Sequence, residues 1–147
     1  MNLRSLSLSI ALSALVAPAP GAAATKRVAG PVEATVLKVL DGDTFLAEAH
    51  VWPGHSVRIN IRIRGIDAPE MKARCRAERI AANRARDALS GLLSAGPVLI
   101  SNIAGAKYYG RVLADVMTPN GEDVAPILLQ DGLVRRYGGG RRVPWCD

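Results

Sequence analysis

One stretch of the sequence decides the fold: RINIRIR at residues 58–64, in which isoleucines alternate with arginines and an asparagine. Side chains of a β-strand point alternately to opposite faces, so this period of two predicts a half-buried strand with isoleucines inward and arginines outward. A Gly-Ile pair leads from this strand into DAPE at residues 67–70, which has the composition of a turn. Arg62 should therefore lie close to the two carboxylates of that turn, Asp67 and Glu70.

Two further strands are predicted on the N-terminal side of this segment. Residues from Val32 to Leu40 are largely β-branched and apolar, which is typical of a strand, and Thr44 to Ala49 has the composition of a returning strand. The turn signal DGD at residues 41–43 separates these two strands, and WPGH at residues 52–55 predicts a loop after the second. Three successive strands are therefore expected before the turn at residues 67–70.

The periodicity changes to 3.6 residues on the C-terminal side, which predicts a long helix from about Lys72 to Leu93. The apolar stripe of this helix consists of Ala77, Ile80, Ala81, Ala85, Ala88, Leu89 and Leu92. Alanine, arginine and leucine are good helix formers, and the Gly-Pro pair at residues 96–97 ends the segment.

Two more strands and a short helix are predicted beyond the long helix. The strands run from Val98 to Ile103 and from Val112 to Met117, with a loop at residues 105–110, and the short helix lies near Val124 to Gln130. The glycine- and arginine-rich segment from Arg135 to Asp147 is expected to be irregular. Five strands with a long helix between the third and fourth, followed by a short C-terminal helix, predict a small antiparallel barrel. This α+β architecture, which is mainly β, is that of an OB-fold.

The first 24 residues have the pattern of a secretory signal peptide. Arg4 gives a basic start, an apolar run follows from Leu6 to Val16, and the small residues Ala22 to Ala24 form an A-x-A end. The alternative, a membrane anchor, needs about 20 apolar residues, and this run is shorter. We therefore expect residues 1–24 to be removed. Residues 25–147 would then form one exported domain, periplasmic or secreted, that is monomeric and not bound to a membrane.

Export favours a disulfide between the two cysteines, and the net charge favours a class of partner. The chain has two cysteines, Cys75 and Cys146, with no C-x-x-C pairing, which argues against a structural zinc site. In an oxidising compartment such a pair favours a disulfide over two independent thiols. Removal of residues 1–24 takes only Arg4 from the 19 basic residues and none of the 13 acidic ones, so the net charge falls from +6 to +5. This excess favours a polyanionic partner, although basic proteins have many functions.

Two turns carry acidic residues that could bind a metal ion. Asp41 and Asp43 belong to the first turn, and Asp67 and Glu70 belong to the second. Carboxylates at strand ends can converge on a hard cation, which prefers oxygen ligands. An EF-hand loop is excluded because neither aspartate of the first turn is followed by a glutamate at the required spacing. Either turn taken alone is also explained as a hairpin turn or as the start of a helix.

Two arginines could add phosphate binding to these turns. Arg62 lies on the strand that leads to Asp67, and Arg111 follows the loop KYYG at residues 107–110. A guanidinium group pairs with two phosphoryl oxygens and stays charged at any working pH. Two such groups would offset the negative charge of a phosphoryl-transfer transition state, and Glu70 could accept a proton from an attacking water. The alternatives are a solvated strand face for Arg62 and a hairpin mouth for Arg111.

Taken together, these motifs resemble those of the staphylococcal nuclease (thermonuclease) family. The similarity is carried by VLDGDT at residues 39–44, RIRGIDAPE at 62–70, YGR at 109–111 and LLQDGLV at 128–134. It extends from about Val32 to Tyr137. The resemblance implies an OB-fold nuclease that uses one calcium ion to hydrolyse both DNA and RNA and leaves 3′-phosphates.

The resemblance also implies a role for each acidic residue of the two turns. Asp43 and Asp67 would be the carboxylate ligands of the calcium ion, and the backbone carbonyl of Ala68 would be a third ligand. Asp41 would act on the ion through a water molecule. Glu70 would be the general base or would orient the attacking water.

The phosphate-binding roles follow from the same resemblance. Arg62 and Arg111 would bind the phosphate, and Tyr109 would contact the terminal phosphate of the substrate. The family's prototype has a lysine directly before this tyrosine, whereas this chain has Tyr108 there and its nearest lysine is Lys107. The contacts to the rest of the substrate are therefore expected to differ from those of the family.

Three functions are compatible with the sequence. The first is an exported calcium-dependent nuclease, the second a non-catalytic OB-fold module that binds nucleic acid, and the third a phosphodiesterase acting on short nucleotides. Further arginines lie on the long helix and in the tail and could follow a nucleic-acid backbone or simply face solvent. They are Arg74, Arg76, Arg79, Arg84, Arg86, Arg135, Arg136, Arg141 and Arg142.

Overall fold

The computed structural model describes residues 26–146, so the predicted signal peptide at residues 1–24 lies outside the described residues. In chain order the elements are β1 (Arg27–Val28), β2 (Val32–Val39), β3 (Thr44–Trp52), β4 (His55–Ile63), β5 (Ile66–Asp67), α1 (Arg76–Leu93), β6 (Val98–Gly105), β7 (Arg111–Met117), α2 (Val124–Gln130) and β8 (Arg135–Arg136). Within this part of the chain, neither helix is long and apolar enough to cross a membrane.

Five strands close into a barrel. β2 pairs with β3, β3 with β4, β4 with β7, β7 with β6, and β6 returns to β2. The OB-fold, with α1 between the third and fourth barrel strands, is confirmed. The prediction of a wholly antiparallel barrel is wrong, because β4 and β7 run parallel. A closed ring with an odd number of strands cannot alternate direction at every step, so one neighbouring pair must be parallel.

The isoleucines of β4 form the middle of the core. Ile61 and Ile63 are fully buried, as predicted from the alternation, and Ile59 is half-buried nearer the hairpin. They pack with Phe45 of β3 and Ile100 of β6. Burial of each such side chain stabilises the fold by about 1.5–3 kcal/mol. The polar residues of β4 are thereby held on the outer face of the barrel.

Helix α1 begins later than expected, and the predicted stripe is confirmed in part: Ala85 and Leu89 are buried, and Ala81, Ala88 and Leu92 are half-buried. It starts at Arg76 rather than near Lys72. Its buried positions are Glu78, Ala82, Ala85, Leu89 and Leu93. Of the predicted stripe, Ala77 and Ile80 are exposed, so that part of the prediction is wrong. The start of the buried face differs because Glu78 accepts a hydrogen bond from the backbone of Glu70 at 3.0 Å, which draws a polar position to the buried side.

The hairpin of β3 and β4 and the tail also contain more regular secondary structure than predicted. β3 and β4 continue to Trp52 and His55, so the predicted loop at residues 52–55 shrinks to a tight connection. In the tail, β8 pairs with β5, which corrects the expectation of an irregular segment at those two residues. The predicted disulfide between Cys75 and Cys146 is present, and it fastens the end of the tail just before α1.

Candidate active site

The turn between β2 and β3 packs directly against α1 and against the second acidic turn. Gly42 lies at the contact and is buried. A Cβ atom at this position would lie 2.5 Å from the Cβ of Ala85 and 2.9 Å from the Cβ of Ala68. Because carbon atoms cannot approach so closely, only glycine allows the two acidic turns to meet here.

Asp43 is the most buried carboxylate of the two turns, with 3% of its side chain exposed. Its Oδ1 accepts hydrogen bonds from the Thr44 hydroxyl at 2.8 Å and from Arg62 Nη1 at 2.5 Å, and its Oδ2 accepts one from the Ala68 amide at 2.8 Å. Burial raises the pKa of Asp43 to about 6, since desolvation together with repulsion from Asp41 outweighs the attraction of Arg62 and the hydrogen bonds. Arg62 and the hydrogen bonds therefore offset only part of the cost of burying the charge of Asp43.

Asp41 supports the same turn from its rim. Its Oδ1 accepts a hydrogen bond from the backbone amide of Asp43 at 3.0 Å, and its side chain is half-buried. The amides of Leu40 and Asp41 both donate to the carbonyl of Thr44, which closes the turn. The carboxylate of Asp41 thus lies next to that of Asp43 without sharing its buried position.

Arg62 joins the two acidic turns. The register of β3 and β4 sets it opposite Thr44, beside Asp43. Its Nη2 donates to the carbonyl of Ile66 at 3.1 Å and to Asp67 Oδ1 at 3.3 Å, while its Nη1 binds Asp43. Only 20% of the side chain is exposed, so Arg62 lies on the outer barrel face as predicted but faces the acidic turns rather than open solvent.

A second guanidinium group, that of Arg142 in the tail, lies on the other side of the acidic turn. Its Nη2 is 2.7 Å from Asp67 Oδ1 and donates to the carbonyl of Ala68 at 2.9 Å, and its Nη1 donates to Glu70 Oε1. Partial burial lowers the pKa of Arg142, but the hydrogen bonds and charges of Asp67 and Glu70 outweigh it and raise the pKa above its usual value. Glu70 itself is 58% exposed, which leaves it open to water.

The donor set of these turns suits a hard divalent cation. Carboxylate and carbonyl oxygens are the ligands that such ions prefer. Four carboxylates lie in this cluster, those of Asp41, Asp43, Asp67 and Glu70, and within residues 26–146 two arginines, Arg62 and Arg142, contact three of them. The pKa of Asp43 is raised chiefly because burial desolvates its carboxylate, and the neighbouring charge of Asp41 raises it further. Asp43, Asp67 and the carbonyl of Ala68 therefore fit the ligand set implied for calcium.

A different cluster of metal-ligand residue types lies nearby but does not form a metal site. Cys75, Glu78 and Cys146 bring their side-chain atoms within 4.8 Å of one another. The two sulfur atoms are joined in a disulfide, and it is the thiolate that binds metals. This cluster offers a single carboxylate, and that carboxylate already accepts the amide hydrogen of Glu70.

A cationic cavity of about 760 Å³ adjoins Arg62. The charged and aromatic side chains that line it are Arg62, Arg64, Lys107, Tyr108, Arg111, Tyr137 and Arg142. In the parallel pairing of β4 and β7, Arg111 lies opposite Asn60, which is two residues before Arg62 and on the same strand face. Both predicted phosphate-binding arginines thus border the same space.

The cavity is lined by two tyrosines, Tyr108 and Tyr137, for which no phosphate contact was predicted. Tyr109, expected to contact phosphate, is fully exposed and does not line the cavity, whereas Tyr108 does. Arg111 lies with its guanidinium carbon 5.6 Å from the centre of the Tyr108 ring, and Arg62 lies 6.0 Å from that of Tyr137. Lys107 lines the cavity as well and lies 5.8 Å from the Tyr108 ring.

Arg142 and Glu78 contact the second acidic turn but were not assigned to this site from the sequence. A signal for Arg142 was nevertheless present in the chain. A disulfide from Cys146 to Cys75 brings the end of the tail close to the acidic turn that precedes Cys75, and Arg142 lies only four residues before Cys146. No pattern marked Glu78, because its burial depends on the backbone of Glu70.

A comparison with protein families shows which family the chain is similar to. A family model described as staphylococcal nuclease homologue matches residues 60–142, which is more than half of the chain. The match includes Arg62, the turn with Asp67 and Glu70, Arg111 and the tail arginine Arg142. A comparison with curated proteins found no match.

Proposed function

The chain belongs to the staphylococcal nuclease homologue family, and we propose that it is an exported, calcium-dependent nuclease that hydrolyses phosphodiester bonds of DNA and RNA and leaves 3′-phosphates. One observation carries this proposal. Two buried carboxylates, Asp43 and Asp67, share the guanidinium group of Arg62 at the edge of a cationic cavity. Nucleic-acid phosphates are the polyanions that such a cavity attracts.

Asp43, Asp67 and the backbone carbonyl of Ala68 would hold the calcium ion, and Asp41 would orient a water molecule beside it. A calcium ion bound there would polarise a phosphoryl oxygen and offset the charge that develops during hydrolysis. The burial of Asp43 keeps water away from one side of this site, which strengthens its electrostatic interactions.

The remaining chemistry belongs to side chains of the chain itself. Arg62 and Arg111 would bind the nonbridging oxygens of the scissile phosphate from two neighbouring strands. Glu70, whose side chain is exposed, would accept a proton from the water that attacks phosphorus. Cleavage of the bond between phosphorus and the 5′-oxygen leaves the phosphate on the 3′ side, and the departing 5′-oxygen takes a proton from solvent to become a hydroxyl. Lys107 would bind a neighbouring phosphate, and Tyr108, Tyr109 or Tyr137 could stack with bases.

Export is proposed from the N-terminal sequence and agrees with the disulfide. Disulfides persist in oxidising compartments such as the periplasm or the exterior of the cell. The mature chain is proposed to act there as a monomer, without a membrane contact, on DNA and RNA.

A digestion assay tests the proposal. The mature protein should degrade single-stranded DNA and RNA when calcium is present, stop when a chelator is added, and release ends that carry 3′-phosphate. Glu70→Gln should lower turnover by about two orders of magnitude or more while leaving the fold intact. Glu122→Gln, which changes an exposed glutamate away from the cavity, is the matched control.

The outcomes of the digestion assay also distinguish the nuclease from the binding module and from the phosphodiesterase. Binding of nucleic acid without any cleavage would support the non-catalytic binding module. Cleavage confined to short nucleotides would support the small-substrate phosphodiesterase. Digestion that continues unchanged in a chelator would contradict the calcium mechanism.

A further inference from the structure

We propose that Arg142 is an internal cation that competes with the divalent ion: its guanidinium group binds the oxygen atoms of Asp67 and Ala68 until the ion displaces it. This inference rests on the proposed function, since it concerns the same metal site. It differs from that function in assigning a role to the tail, which sequence reasoning did not connect with metal binding.

The contacts of Arg142 carry the inference. Nη2 lies 2.7 Å from Asp67 Oδ1 and 2.9 Å from the carbonyl oxygen of Ala68, and Nη1 binds Glu70 Oε1. Two of these oxygens belong to the ligand set that fits a divalent cation. A divalent ion bound to these oxygens would lie next to the guanidinium group that contacts the same atoms, and the two cations would repel each other. Occupation by one therefore opposes occupation by the other.

Contacts at both ends of the tail hold Arg142 beside Asp67 and Ala68. On its N-terminal side, β8 pairs with β5, and the amide of Tyr137 donates to the carbonyl of Gly65 at 2.9 Å. On its C-terminal side, the disulfide fixes Cys146 to Cys75. Arg142 is thus held in a short loop whose two ends are both fastened beside the acidic turn.

A second contact stiffens the far end of this loop. The guanidinium group of Arg135 lies 3.8 Å from the centre of the Trp145 ring, and its Nη1 donates to the carbonyl of Pro144 at 2.9 Å.

Three glycines lie between the two anchors of the loop, which are the pairing of β8 with β5 and the disulfide. They are Gly138, Gly139 and Gly140, the last two with positive φ. Glycine imposes little restriction on the backbone, so Arg142 can leave the acidic turn without breaking either anchor.

Tethering makes this competition effective. An arginine held within a short loop has a high effective concentration at its binding site, in contrast to an arginine on a free tail. The disulfide should therefore influence metal affinity through Arg142. Reduction of the disulfide should weaken the competitor, and the effect should disappear when Arg142 is absent.

Calcium titration by isothermal calorimetry, without nucleic acid, tests the inference directly. Arg142→Gln should bind calcium roughly fivefold or more tightly than the parent, because a charge-assisted competitor is removed. Arg141→Gln removes the same charge from the adjacent residue, which is exposed and does not line the cavity, and should change the affinity much less. Arg142→Lys keeps the charge but not the fork that reaches several oxygens, so it should lie between Arg142→Gln and the parent.

Reduction supplies the second arm of the experiment. Mild reduction, or replacement of both cysteines by serine, should tighten calcium binding by the parent and leave that of Arg142→Gln unchanged. Thermal unfolding of each protein verifies that it is folded before titration.

The possible results of the titrations distinguish failure of the inference from failure of the proposed function. Equal or weaker calcium binding by Arg142→Gln would overturn the inference while leaving the calcium-dependent nuclease intact. A reduction effect that is the same with and without Arg142 would overturn the role of the tether. A parent and variants that all fail to bind calcium would instead contradict the proposed function.

Discussion

At the scale of single residues, Asp43 combines burial with a charge that its neighbours only partly compensate. Its pKa in the folded protein is about 6, against an ordinary value of 3.8. Between these two values the native state binds a proton that the unfolded state has released. The contribution of Asp43 to stability therefore falls as the pH rises through this window, and it stays low above it.

This pH dependence leads to a prediction for the variant Asp43→Asn, measured in the presence of a chelator. The free energy of unfolding of the variant, relative to that of the parent, should increase by about 3 kcal/mol between about pH 4 and about pH 7, because the amide carries no charge to desolvate. Denaturant titrations at several pH values measure this difference. Asp87→Asn, at an exposed position on α1, should show no such trend. If the curves for parent and Asp43→Asn run parallel, burial does not penalise this carboxylate.

At the scale of elements, the contact between the first acidic turn and α1 decides whether the site can form. Gly42 lies so close to Ala85 and Ala68 that a side chain at position 42 has no room. The helix was expected from its periodicity, but its start at Arg76 and its buried face follow from this contact and from the anchoring of Glu78. A helical period of 3.6 residues indicates that the helix has an apolar stripe. The elements that pack against the helix determine which of its side chains are buried.

A pair of glycine substitutions measures this contact. Gly42→Ala should lower the free energy of unfolding by about 1–3 kcal/mol, because the added methyl group overlaps Ala85 and Ala68. Gly91→Ala, within α1, meets nothing within 4 Å and should stabilise the protein by roughly 0.5–1 kcal/mol. Denaturant unfolding of both variants provides the comparison. A Gly42→Ala protein as stable as its parent would show that the two turns can separate without cost.

At the scale of the whole molecule, positive charge is distributed unevenly around the barrel. Arginines of α1, including Arg84, do not line the cavity, whereas Arg142 of the tail does. Of the two alternatives for these residues, a solvated face suits the exposed arginines of α1. Binding of nucleic acid should accordingly depend on the cavity cations rather than on the net charge of the protein.

The salt dependence of binding tests this distribution. With calcium replaced by a chelator to prevent cleavage, the affinity for single-stranded DNA should fall steeply with salt concentration. Lys107→Gln should weaken binding and reduce the slope of the logarithmic plot by about 0.7, the value for one phosphate contact on a single strand. Lys38→Gln, whose side chain lines a separate depression between β2 and the end of α1, should leave the slope unchanged. Equal slopes for parent and Lys107→Gln would place the nucleic acid outside the cavity.

The sequence alone determined the barrel and much of its acidic centre, because these depend on local patterns. Alternation in β4 predicted Ile61 and Ile63 in the core, and the order of the two turns placed Asp43 and Asp67 at ends of neighbouring strands. Only the tertiary structure decided which pair of strands runs parallel, which residues begin the buried face of α1 and which oxygen atoms Arg142 contacts. The reason is that these features arise from closure of the ring and from contacts between residues far apart in the chain, which leave no periodic trace in the sequence.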